Sequence, residues 1–151
     1  MYLILLLIAS TFGILFGLAL LVVYCISLWM VFKKLGEPGW KALIPIYNEY
    51  VLYTYVWDTN NFIIALGLSI VYSVIKEFAG DDPSMLMNIL ILLSGFASIF
   101  WEVRAAFYTA YSFGKSTLFG VLLYFISFIG YLILGFDASQ YIGNGSQMQR
   151  R

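Results

Sequence analysis

No charged residue appears before Lys33. A helix needs roughly 20 apolar residues to cross a bilayer, and residues 1–32 supply more than that, so this run is predicted to span with tilt or overhang. A secretory signal is not expected. The run has no basic start, is too long for a signal core, and ends without a small-residue cleavage site. The rest of the chain agrees: 62% of the 151 residues are hydrophobic and 11% charged. Soluble domains hold about 45–50% apolar and about 25% charged residues. A core of this size cannot absorb so much apolar surface, whereas lipid can. The expectation is one polytopic all-α membrane domain. Lys33 and Lys34 follow the first run and none precedes it, so the N-terminus is expected outside and the following loop in the cytoplasm.

Four transmembrane helices are expected, over about 8–32, 62–78, 84–104 and 117–136, with a polar tail over 137–151. Residues 42–58 are ambiguous. They are long enough for a short crossing, but Pro45 interrupts them and Asn48-Glu49 would lie near mid-bilayer. They also crowd together Tyr47, Tyr50, Tyr53, Tyr55 and Trp57, which favour the headgroup level. The expectation is a Pro-kinked helix lying in the inner interface, or dipping in and returning. Five spans is the alternative, mildly preferred by the distribution of lysine and arginine. Asp58 is a candidate cap for the next helix, and Asp82-Pro83 a helix start. The third helix is expected to run past Glu102 towards Ser112. A Gly-containing loop, an aromatic residue and an apolar helix occur over 35–43 and again over 113–122, a hint of internal repetition.

Several functions are argued against. Net charge is zero, with no basic stripe for nucleic acid. There is no histidine and only one cysteine, Cys25, so no metal site is expected. Gly114-Lys115-Ser116 resembles the end of a phosphate loop but lacks its first glycine and preceding strand. No cofactor is expected.

Three stretches, FKKLGEPGWKALIPIYNEYVL, AYSFGKSTLFGVLL and ILGFDASQYIG, resemble a family of small bacterial membrane proteins catalogued only as a domain of unknown function. A similar region is sometimes fused ahead of a signal peptidase I catalytic domain. The resemblance runs from about residue 32 to 143 and implies architecture rather than activity. The family usually carries a second basic Gly-Lys-Pro loop; here that position is 57–61, without lysine. Pro83-Ser84-Met85 faintly resembles the peptidase serine motif. Serine–lysine catalysis needs a neutral lysine within hydrogen-bond reach on a water-accessible scaffold, and Ser84 reads better as a helix start.

Small residues at helical spacing form candidate packing stripes: Ala9, Gly13 and Gly17; Ala65, Ser69 and Ser73; Ser94 and Ser98. Such stripes let backbones approach in lipid. The first is read as bundle packing, with a dimer face as the alternative. Asn48, Glu49, Glu102, Arg104 and Lys115 are the candidate polar pocket, since ionisable groups at membrane depth are functional by default. Glu49 would meet Arg104 or Lys115 there, and interfacial charges facing water are the plainer reading. The leading expectation is a non-enzymatic accessory or interaction protein of the bacterial cytoplasmic membrane. Its partners would be the bilayer and a membrane-protein partner or second copy. The rivals are a small transporter or lipid-handling protein with an inward-facing pocket, and an immunity protein against a membrane-active peptide.

Overall fold

The computed structural model describes the backbone of residues 2–80 and 82–149, with the side chains of 3–9 left aside. Among the described residues every regular element is helical: α1 (Tyr2–Lys34), a 3-10 turn (Gly39–Leu43), α2 (Tyr47–Val56), α3 (Thr59–Ala79), α4 (Met85–Ser112), α5 (Thr117–Phe125), α6 (Ser127–Phe136) and α7 (Gly145–Met148). Three helices, α1, α3 and α4, are long and apolar enough to cross a membrane. The starts of α3 and α4 are capped by side chains. Asp58 accepts from Asn60 N–H at 3.1 Å, and Ser84 from Met87 N–H at 3.3 Å. The serine, not Asp82-Pro83, therefore opens α4, and its hydroxyl has a structural task.

The segment 117–136, expected as a fourth span, is not one continuous helix. It breaks at Ile126 into helices of 9 and 10 residues. Each is about 15 Å long, half of what a crossing needs. The two fold onto one another: a methyl added to Gly130 would lie 3.1 Å from Leu123 Cα, two turns away along a straight helix. α5 runs back along α4, with Tyr111 beside Thr117 and Phe107 beside Gly120. α6 then returns alongside α1 in the same direction, with Tyr24 against Phe128, Ser27 against Gly135 and Lys34 against Asp137. Both ends of the pair thus lie at the Lys34 end of the bundle.

Residues 42–58 do likewise. The 3-10 turn climbs back along α1, placing Gly39 on Trp29 and Ala42 on Leu28 and Phe32. α2 descends again until the Tyr55 hydroxyl donates to Glu37 Oε1 at 2.8 Å. α2 has only 10 residues, about 15 Å of helix, so it is shorter than a crossing needs. The tip is tight. Ile46 has φ 66° and ψ −46°, and Tyr47 N–H reaches Pro45 O at 2.7 Å, a γ-turn of the strained hand. A β-branched side chain there costs about 1–2 kcal/mol. Ile46→Gly is therefore expected to raise thermal stability in detergent by about 1 kcal/mol, and a lower melting temperature would contradict the strain.

The repetition hinted at by sequence has a structural counterpart. α1 and α4 end on Gly36 and Gly114, at φ 82° and 68°. Gly36 N–H bonds Lys33 O and Glu37 N–H bonds Phe32 O; Gly114 N–H bonds Tyr111 O and Lys115 N–H bonds Ala110 O. Glycine is suited to this termination because it adopts positive φ without a Cβ clash. α1 and α4 are each followed by a short unit that turns back on itself, termed re-entrant here for that geometry alone. The two loops meet, since Leu35 and Phe113 share one buried cluster with Val31 and Leu134.

The packing stripes fare differently. Gly13 and Gly17 have no packing neighbour within 4 Å of an added methyl, so the bundle does not use them; the side chain of Ala9 lies outside the described set. Ser69 and Ser73 are exposed and Ala65 half-buried. Ser73, Ser94 and Ser98 donate to carbonyls of their own helices. The α3–α4 seam instead places Tyr72 3.4 Å from where a methyl on Gly95 would lie.

Candidate functional site

Between the two re-entrant units lies a cavity of about 320 Å³. Its walls come from α1 (Tyr24, Leu28, Phe32), α2 (Asn48, Glu49, Tyr53, Val56), α4 (Glu102, Thr109), α5 (Tyr124) and α6 (Ser127, Tyr131). Phe32, Val56 and Thr109, each at most 1% exposed, form the floor toward the Lys34 end. Glu49, Glu102 and Ser127 are exposed at the rim, which faces away from that end. Glu102 lies ten residues before Ser112, about 15 Å along α4.

Three of the five expected pocket residues meet here. Asn48 is fixed by donating to Ala42 O at 3.1 Å while its Oδ1 accepts from Glu49 N–H at 2.6 Å. Glu49 and Glu102 line the same wall-to-wall gap and act on one another electrostatically. Among the described residues no lysine or arginine forms a salt bridge with either.

Arg104 and Lys115 are elsewhere, so Glu49 does not meet them. Arg104 is about 200° around α4 from Glu102. Its guanidinium lies 5.2 Å from the Trp57 ring, 5.4 Å from Phe100 and 5.5 Å from Tyr108, and donates to Tyr108 Oη at 2.5 Å. Aromatic faces satisfy it by cation–π attraction. Lys115 contacts Asp137 Oδ2, and Lys34 approaches Oδ1 of the same carboxylate at 3.0 Å. Lys34 also donates to Leu134 O at 2.5 Å and Asp137 O at 2.8 Å, capping the negative end of α6. Two lysines and one aspartate thus clasp the re-entrant unit shut at its base. Burial alone would raise the Asp137 carboxyl, but the bonds from Lys115, Ser139 and Lys34 hold it well below the usual carboxylate range. A second grip lies on the first loop, where Lys41 at 2.6 Å and Tyr55 hold Glu37 and lower its carboxyl.

Sequence reasoning misses several residues. Tyr24, Tyr124 and Tyr131 line the cavity but read as ordinary apolar-helix aromatics, and Tyr53, which lines it with them, reads as an interfacial one. Asp137 reads in sequence as the first residue of the tail. The tail itself is a strap: Tyr141 and Asn144 donate to Tyr55 O and Trp57 O at 2.9 and 2.5 Å, Ile142 N–H bonds Ser112 O, and Gly145 seats on Tyr108. Among the described residues no group of three or more histidine, cysteine, aspartate or glutamate side chains is placed to hold a metal.

Residues 40–144 match a family of unknown function (DUF5684), which covers both re-entrant units and every cavity wall except α1. No curated protein and no solved structure matches the chain.

Proposed function

The chain belongs to that family, which has no assigned activity, and we propose from the geometry that it is a non-enzymatic membrane protein that binds a small molecule between its re-entrant units, as a carrier or lipid-handling protein. The observation that carries this reading is the cavity with two carboxylates and no protein cation. Irregular backbone at membrane depth is tolerated where it lines a cavity or is buried in protein. Interrupted helices in corresponding positions of two related halves are a known mark of mid-membrane binding sites. The volume falls in the range of about 300–1,000 Å³ typical of small-molecule pockets.

In this reading α1, α3 and α4 cross a bacterial cytoplasmic membrane. Lys33, Lys34, Lys41 and Lys115 then gather at one end and Lys76 stands at the other. The positive-inside rule puts the lysine-rich end in the cytoplasm, the start of α1 outside, and the cavity rim toward the outer half. An outward-facing pocket thereby replaces the inward-facing one expected from sequence.

The test is cysteine accessibility. In a Cys25→Ser background, Ser127→Cys at the rim is expected to react with a membrane-impermeant methanethiosulfonate added outside sealed cells. Val31→Cys, in the buried cluster, is expected to stay unlabelled. A Ser127→Cys side chain that resists labelling even in opened membranes would leave no water-filled cavity and return the protein to the accessory reading. One observation favours that second reading: Gly13 and Gly17 on α1 face open space, as a surface for another membrane helix would. Cross-linking between copies or to a partner through Gly17→Cys would support it.

A further inference from the structure

We propose that the cavity takes a primary ammonium carried on an apolar body, a proposal that rests on the binding reading above. Glu49 and Glu102 supply negative charge to a space lined by no lysine or arginine. An anion is disfavoured on that ground alone. Tyr53 is a separate observation. Its side chain is 8% exposed and lines the cavity, and its hydroxyl makes no hydrogen bond to any described residue. A hydroxyl that opens on a cavity with no protein partner is free to accept from a ligand donor.

An –NH₃⁺ group has three donors and no acceptor. Two carboxylates and the Tyr53 hydroxyl oxygen provide three acceptors on the walls of one cavity. The rings of Tyr24, Tyr53 and Tyr131 add faces that attract a cation. Leu28, Phe32 and Val56 form an apolar floor suited to a hydrocarbon body. A bare metal ion fits less well. The acidic set stops at two, and among the described residues no third histidine, cysteine or carboxylate joins it. A cavity of about 320 Å³ is also far larger than a bare ion requires.

The experiment measures equilibrium binding of 2-phenylethylammonium and uncharged 2-phenylethanol to the full chain in neutral maltoside micelles at pH 7. The amine is expected to bind at least tenfold tighter than the alcohol. Glu49→Gln and Glu102→Gln are each expected to weaken the amine at least tenfold and leave the alcohol unchanged. Tyr53→Phe should cost the amine severalfold. Equal affinity of the wild-type chain for amine and alcohol would overturn the proposal, as would full amine affinity in both glutamine variants or no binding of either probe. The wild-type comparison needs no variant, so a misfolded mutant cannot hide the outcome. If Ser127→Cys is labelled while amine preference is absent, the ammonium assignment fails and the cavity-binding reading stands. If Ser127→Cys is inert, both fail.

Discussion

Asp137→Asn is expected to destabilise the protein by about 2–3 kcal/mol, somewhat below the roughly 3–5 lost when a fully buried ion pair is broken from one side. The asparagine keeps the shape but leaves Lys34 and Lys115 without their shared counter-charge, in a site where these side chains are only 12–27% exposed. It also loosens the base of α6, because Lys34 is held over the Leu134 and Asp137 carbonyls partly by this carboxylate. The pH dependence has a definite sign. Because the folded Asp137 carboxyl is held below its ordinary value, its contribution is fully present above the unfolded value of about 3.9 and is lost as pH falls through the folded one. The difference in melting temperature between wild type and Asp137→Asn should therefore stay level from pH 8 down to pH 5. A difference that shrinks above pH 5 would show that the clasp does not hold the carboxyl down.

Gly135→Ala is expected to be comparably damaging, by about 2–3 kcal/mol, from overpacking. Its methyl would lie 2.7 Å from Ser27 O and 3.1 Å from Ser27 Cα. Both neighbours are backbone atoms of α1, so no rotamer change makes room. The only relief is to push α6 away from α1, which opens the cavity wall carrying Tyr131 and Ser127. Gly67→Ala in α3 is the control. An added methyl there meets nothing within 4 Å, and alanine favours a helix by about 0.8–1 kcal/mol over glycine. Melting temperatures in one detergent should move in opposite directions for the two. A tolerated Gly135→Ala would refute the close α1–α6 contact.

The long helices are legible because their signal is local: an uninterrupted apolar run, a cap at Asp58, and helical spacing carried from Ser94 to Glu102. The course of 117–136 is not. Twenty apolar residues read as a span whether they run straight or fold at Ile126, and the fold depends on contacts with α1 and α4 that lie about a hundred residues away or across a loop. Ile126 carries no proline or other breaker to announce it; Gly130 permits the close turn but resembles any packing glycine. In the polar pocket, periodicity separates Glu102 from Arg104 as the geometry does, and Asn48-Glu49 lies on the cavity wall. Periodicity does not say which cation each carboxylate meets. Lys115 pairs with Asp137, a residue adjacent to it in space and 22 positions away in sequence.

Because both re-entrant units enter from the end where Gly36 and Gly114 meet, the molecule's cross-section changes with depth. Near that end α1, α2, α3, α4, α5 and α6 stand side by side, with the strap beneath them. Beyond the tips at Ile46 and Ile126 only α1, α3 and α4 continue. In a bilayer such a body is a wedge, displacing more lipid from one leaflet than from the other.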